Sequence, residues 1–481
     1  MIDGCRVARQ RIVRLAVVVP ALVCALAILP VMAQAASQSS SPSPSPSPGG
    51  LTLHQAVALA LSHDIAVLRA GATVASANAV LARDRALTLP TANGQLQNQM
   101  QKSANSGQFA QIGVAVSPTF SQNTAALAAN FNGLNLTNIE QARADKQALD
   151  QASGQLALAR EQTIFDVETA FYTVAQDREL ATIASENVSY NHALLQVAQV
   201  NYRAGKVAGL DQLKAQVAYT SALEQLASAQ ADEEDARENL AQLIGAPMTT
   251  TFAIPNAVPE PPLPDLNRTT LDQVALVNRP DVAVAQAQVT QALINNALVD
   301  APNRPSVGVS AAWGNQVSPT NDAQLRNNFD ACIAAGEPPS VCSPGASHFY
   351  QISINSIWTL PLIDWGTLHA AHASAHSEID LQTAVLQNAK QQVLIDVDQA
   401  VRRLLVDRQN LQLAESNVNL AKQAAFISAA QYRVGIISQT DVAAAQNSYL
   451  TAARDLLNAQ VAYILGIATL DKATGTLVDA V

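Results

Sequence analysis

Tyr202-Arg203-Ala204-Gly205 returns as Tyr432-Arg433-Val434-Gly435, an offset of 230 positions (432 against 202). The same offset carries Asp211 onto Asp441, Gln216 onto Gln446, Tyr219 onto Tyr449 and Ala229-Gln230 onto Ala459-Gln460. Upstream it carries Leu156 onto Leu386, Asp166-Val167 onto Asp396-Val397 and Asp177-Arg178 onto Asp407-Arg408. An ungapped match over roughly ninety residues marks two copies of one large unit, because solenoid repeats run at only ~20–50 residues.

Each copy opens with a helical segment, at Leu53 in the first and Leu271 in the second, with alanines at helical spacing behind it. Pro90 ends the first and Pro302/Pro305 the second. A period of two follows. Val307, Val309, Ala311 and Trp313 alternate with small residues; Tyr350, Ile352, Ile354, Trp358 and Leu360 alternate with polar ones. That period predicts strands with one apolar face. The first copy carries it more weakly, in Gln95–Gln101 and somewhere within Ala125–Leu136. Thr137 to Arg203 and Thr367 to Arg433 then run without proline, long enough for helices of ~100 Å. Leu386, Ala389, Val393, Val397, Ala400, Leu404 and Leu411 step by three or four, a near-heptad seam repeated by Leu156, Ala159, Val167, Ala170 and Val174. Gly205 and Gly435 end these helices in the left-handed conformation, and return helices begin near Asp211 and Asp441.

Arg6, Arg9, Arg11 and Arg14, an apolar Leu15–Met32 and Ala33-Gln34-Ala35 read as a secretory signal over 1–35. A membrane anchor, or acylation at Cys24, is the alternative. Residues 36–50 are a Ser/Pro-rich extended linker. No later stretch reads as a membrane-spanning helix. Removing the signal takes away four Arg and one Asp, so the formal charge moves from −10 to −13. An acidic exported chain without basic clusters is unsuited to nucleic acid. Cys332 and Cys342 flank a loop-like segment and, in an oxidising compartment, read as one disulfide; two free thiols are the alternative.

The first repeat is thus placed at 51–250, with a hairpin within 90–136. A Pro-rich linker follows at 251–265, and the second repeat at 266–481 has its hairpin within 305–366. The repeat offset grows from 217–218 at the first helices to 230 after the strands, so the second hairpin has the longer tip, where the two cysteines sit. Four strands cannot close a barrel, for which ~8 is a practical minimum, and open edges are not tolerated in a bilayer. Three copies would supply twelve strands. The expected class is an α+β membrane protein: two helix–hairpin–helix repeats trimerising into a transmembrane β-barrel continuous with a periplasmic α-barrel.

The chain resembles the TolC-like outer-membrane efflux protein family across Leu51 to Gly475. The resemblance is carried by the duplicated plan and by the two YRxG turns, each with an Asp six residues beyond its glycine. Asn278-Arg279-Pro280-Asp281 and Trp358-Thr-Leu-Pro361-Leu-Ile-Asp364-Trp-Gly366 add to it. The first copy departs from the pattern, with Asn130-Phe131-Asn132-Gly133-Leu134 at its strand-to-helix junction. The resemblance implies a passive homotrimeric exit duct in outer-membrane lipid, the helical part in the periplasm, docking a periplasmic adaptor and an inner-membrane pump. Small molecules such as drugs are the expected cargo; type I protein secretion and metal efflux are alternatives. A soluble periplasmic coiled-coil protein is the competing class.

No catalytic constellation, cofactor motif or zinc signature is present, so no enzyme activity and no cofactor are expected. Asp211 and Asp441 stand where helix caps belong. The resemblance places Asp441 at the periplasmic mouth, three copies ringing the axis; a second acid, frequent in the family three residues on, is Ala444 here. Tyr432 is either packed core or a hydrogen-bond donor to Asp211. Tyr202, Arg203, Gly205, Arg433 and Gly435 form the expected adaptor-docking tips. His369, His372 and His376 share a helical face and are either solvated or a metal site.

Overall fold

The computed structural model describes residues 51–102, 119–205, 207–254, 261–317, 330–336, 346–434 and 436–477. The signal, the Ser/Pro linker, part of the Pro-rich linker, Cys342 and Gly435 lie outside these residues. In chain order the first repeat is α1 (Leu53–His63), α2 (Ile65–Ala86), β1 (Thr91–Lys102), β2 (Thr119–Leu134), α3 (Leu136–Arg203) and α4 (Gly209–Leu243). The second is α5 (Arg268–Asn278), α6 (Pro280–Asp300), β3 (Ser306–Val317), β4 (Ala346–Ile357), α7 (Thr367–Arg433) and α8 (Gln439–Thr474).

The single opening helix expected of each repeat is two helices. Thr52 and Gln55 close a capping box on α1. Asp64 then turns extended, and its carboxylate accepts from the Ala66 and Val67 N–H groups to start α2. In the second repeat the break falls at Arg279, with Pro280 at the first helical position. A further expectation fails at α2, which is long and apolar enough to cross a membrane, although most of it is unburied within the chain. Its alanine richness produces that hydropathy.

The four strands form one antiparallel sheet in the order β1-β2-β3-β4. β2 starts six residues before the expected Ala125 (119 against 125) and bulges between Phe131 and Leu134. β4 stops at Ile357, so Trp358 and Leu360 are not strand residues; the Trp358 indole donates to the Asn303 carbonyl at 3.1 Å. Register sorts the side chains onto two faces. Leu127, Trp313 and Tyr350 lie in one row, with Val309–Ile354 and Ala311–Ile352 beside it. The opposite face carries Gln95, Gln97, Gln99, Asn130, Gln351 and Asn355, and there the Ser310 and Ser353 hydroxyls meet at 2.6 Å. Ile352 and Ile354 are 71% and 72% exposed. Apolar outside and polar inside is the pattern of a membrane barrel wall.

The turn into α7 is held by Asp364, whose carboxylate accepts from the N–H groups of Gly366 and Leu368. These bonds lower its pKa. Trp365 there has φ 52°, the one non-glycine residue with positive φ among those described.

The long helices end where the sequence places them. α3 packs along α4, and α7 along α8. The seam residues Leu386, Val393, Val397, Ala400, Leu404 and Leu411 are buried, joined by Tyr463 and Leu470 of α8. Val167 and Val174 are buried with Ile164, Phe171 and Leu240, while Leu156, Ala159 and Ala170 are half-buried. Gly154 lets α3 approach α6, since a Cβ there would collide with Val284. Cys332 is disulfide-bonded and lies in a short helical turn, residues 330–334, rather than in bare loop.

Candidate gate and docking tip

Two turns make the tip. At the first, the Gly205 N–H bonds to the Tyr202 carbonyl at 2.9 Å with φ +69°, a conformation open to glycine. Tyr202 is half exposed, its ring against Gly209, and Arg203 is exposed. At the second, the Ile436 N–H bonds to the Gln431 carbonyl at 3.0 Å, and Arg433 is exposed. Tyr432, the repeat mate of Tyr202, is 3% exposed and packs on Leu194 and Val442. Sequence-equivalent tyrosines thus have opposite environments, because only the second hairpin leans on the first.

Tyr432 is packed core, and the alternative bond to Asp211 is not made. Its buried hydroxyl has no hydrogen-bond partner among the described residues. Burial raises its pKa, and the nearby Asp211 carboxylate adds to the rise.

Neither aspartate is the cap expected of it. Ser438 caps α8, and Asp441 completes a capping box, its carboxylate accepting from the Ser438 N–H at 3.1 Å and hydroxyl at 2.7 Å. Those bonds hold the exposed Asp441 carboxyl below the usual carboxylate range. Ala208 precedes α4 without a side-chain cap, so Asp211 contributes only charge to the first turn. The cause is local: Ser stands three residues before Asp441, where Ala208 stands before Asp211.

Sequence reading missed the contacts that hold α8 to α3 and α4. Lys214 Nζ donates to Thr440 Oγ1 at 3.2 Å. Gln446 Nε2 reaches Asn187 Oδ1 at 3.5 Å, and Gln176 Nε2 donates to Asn458 Oδ1 at 2.5 Å. Each pair joins the two repeats, and no spacing rule within one helix could find it. A furrow of about 800 Å3 between α7 and α8 is lined by Arg403, Asp407, Asn410, Asn417, Asn447 and Asp455, among others.

The three histidines do not converge. His372 Nε2 lies 3.0 Å from Asp300 Oδ1 and its Nδ1 3.3 Å from Asn296 Oδ1, both on α6. The ring of His376 is 6.5 Å away, centroid to centroid. Among the described residues no three His, Cys, Asp or Glu side chains are placed to hold a metal.

A family model described as outer membrane efflux protein matches residues 56–246 and 271–476, the two repeats. The outer membrane channel CmeC of Campylobacter jejuni is similar at a TM-score of 0.70 and 18% identity, covering 88% of this chain and 86% of that one. The outer membrane protein VceC of Vibrio cholerae gives 0.67 and 19%, covering 88% and 96%. The open state of the Neisseria gonorrhoeae MtrE outer membrane channel gives 0.68 and 20%, covering 88% and 89%. No curated protein is matched by the sequence. With both repeats matched over most of its length, this chain belongs to the outer membrane efflux protein family and resides in the outer membrane.

Proposed function

We propose that three copies close into a twelve-stranded barrel continuous with a helical tunnel. The assembly is then the passive exit duct of a tripartite export system. The reading is carried by one observation: a four-stranded sheet with an apolar face, two unpaired outer edges and 67- and 68-residue helices leading out of it. Such edges are stable in lipid only when other strands pair with them. The tip, with Tyr202, Arg203, Gly205, Arg433 and Gly435, docks a periplasmic adaptor, and an inner-membrane pump supplies the energy. Asp441, near the tip end of α8, lines the mouth, and the amide pairs between α8 and α3 part when it opens. The cargo is small molecules such as drugs; His372, engaged by Asp300 and Asn296, lends no support to a metal path.

Light scattering of the detergent-extracted protein, with the detergent mass subtracted, tests the assembly. A trimer is expected; a monomer or an even-numbered oligomer overturns the reading. Cells lacking the chain should accumulate small dyes and drugs. Loss of polypeptide secretion or of metal resistance, with dye efflux intact, would assign another cargo.

A further inference from the structure

The helices form an open layer with two bare edges. Near the strands the neighbours run α2, α3, α6, α7, the order of the strands they join. Toward the tip, where α2 and α6 are absent, the neighbours are α4, α3, α8, α7. One edge therefore carries β1, α2 and α4, and the other carries β4 and α7.

Each edge presents a heptad-spaced apolar row that nothing within the chain covers. On α7, Val406, Leu413, Leu420 and Ile427 recur at every seventh residue, and Val434 follows at the C-cap. All five are between 52% and 72% exposed. On α4, Leu210, Leu213 and Val217 step by three and four and are equally open, with Thr220, Ala227 and Ala231 continuing the row. Higher up, α2 offers Ile65, Leu68, Ala72, Ala75, Ala79 and Ala82 at the same spacing, all exposed. At that height α7 offers exposed Leu381 and Val385. Rows of this period are what two helices bury against each other in a coiled coil.

Charge points the same way. Exposed Arg408 and Lys422 on α7 form no ion pair among the described residues, whereas α4 carries Glu224, Asp232, Glu234, Asp235 and Glu238. Arg408 stands as many residues from the tip end of α7 as Glu234 does from the tip end of α4. Lys422 and Glu224 match in height to within about one turn.

Building on the trimeric reading, we infer that α7 of one protomer packs along α2 and α4 of the next. The occupant of both rows is thus a second copy of this chain. The seam runs from membrane to tip and covers the apolar α2 that the single chain leaves open.

The full mature chain with Val217→Cys and Ile427→Cys, at matching heights on opposite edges, is treated with a short bis-maleimide after purification, the parent chain serving as blank. Covalent dimers and trimers on denaturing gels are expected. An intact trimer by light scattering that does not cross-link overturns the seam and leaves the trimeric reading standing. A particle that is not a trimer overturns both. In a second measurement, Leu413→Cys and Ala79→Cys singly resist a polar maleimide in the adaptor-free trimer. Free reaction of both would show rows facing outward to another partner, and would overturn the inference.

Discussion

Arg279 Nη2 lies 3.2 Å from Asp396 Oδ2, tying the break between α5 and α6 to the shaft of α7. The same nitrogen bonds Asp281 at 2.7 Å, and Glu161 of α3 adds its field. Arg279→Met leaves three carboxylates facing one another. Charged hydrogen bonds of this kind contribute about 1.5–3 kcal/mol, so the variant should melt earlier by circular dichroism in detergent. An unchanged melting curve would remove the tie from the energetics. The first repeat has Ser62 at this place and holds its break with Asp64 instead.

Glu168 on α3 is buried, near Asp471 of α8, and its pKa is raised from 4.5 to about 7, chiefly by burial. Asp471 is raised for the same reason. The unfolded chain therefore releases its Glu168 proton first as pH rises. The contribution to stability is fullest below 4.5 and is lost as pH climbs through about 7. Trimers should melt at a higher temperature at about pH 5 than at about pH 8, and Glu168→Gln should flatten the difference. Parallel pH profiles for variant and parent would contradict this.

Ile352 and Gln351 are neighbours on opposite faces of β4. Lysine on the lipid side of a barrel costs about 2–4 kcal/mol near the bilayer midplane. Ile352→Lys should reduce the trimer recovered from outer membranes, whereas Gln351→Lys should insert normally and shift the channel toward anions. Bilayer recordings and membrane fractionation read both, and equal insertion would mean that the faces are assigned wrongly.

At Gly205 a Cβ would meet nothing within 4 Å, so only the backbone resists substitution. Gly205→Val must hold φ near +69° or refold the turn. Trimers should insert at parental levels while export fails. Normal export would separate this turn from adaptor docking.

The capping box allows two roles to be separated at the mouth. Ser438→Ala should cost about 1 kcal/mol of stability and leave ion selectivity unchanged. Asp441→Asn should keep the helix start, because its amide oxygen still accepts from the Ser438 N–H, yet weaken cation selectivity and block by polyvalent cations. If both variants conduct like the parent, Asp441 is structural alone.

What the sequence disclosed followed from periodicity. The ends of α7 fall on Thr367 and Arg433 as read, because no proline interrupts the seam and glycine stands at each end. The breaks at Asp64 and Arg279 were illegible, since an Asp or an Arg-Pro within an alanine-rich run fits a continuous helix or a fresh cap equally well. The environment of Tyr432 was hidden for another reason. It depends on Leu194 of the other repeat, and no local pattern encodes how two hairpins lean together. The same holds for Gln446 and Asn187, amides that look like ordinary solvated surface in either helix alone.

Those amide pairs also bear on the surroundings in which the protein works. Gln176–Asn458 and Gln446–Asn187 are neutral at both ends, and dissolved ions screen charges while leaving neutral pairs nearly untouched. Small ions cross the porous bacterial envelope freely, so the periplasm follows the salinity outside. A mouth closed by amides keeps its grip from fresh water to brine, and the decision to open is left to contact with the partner machinery.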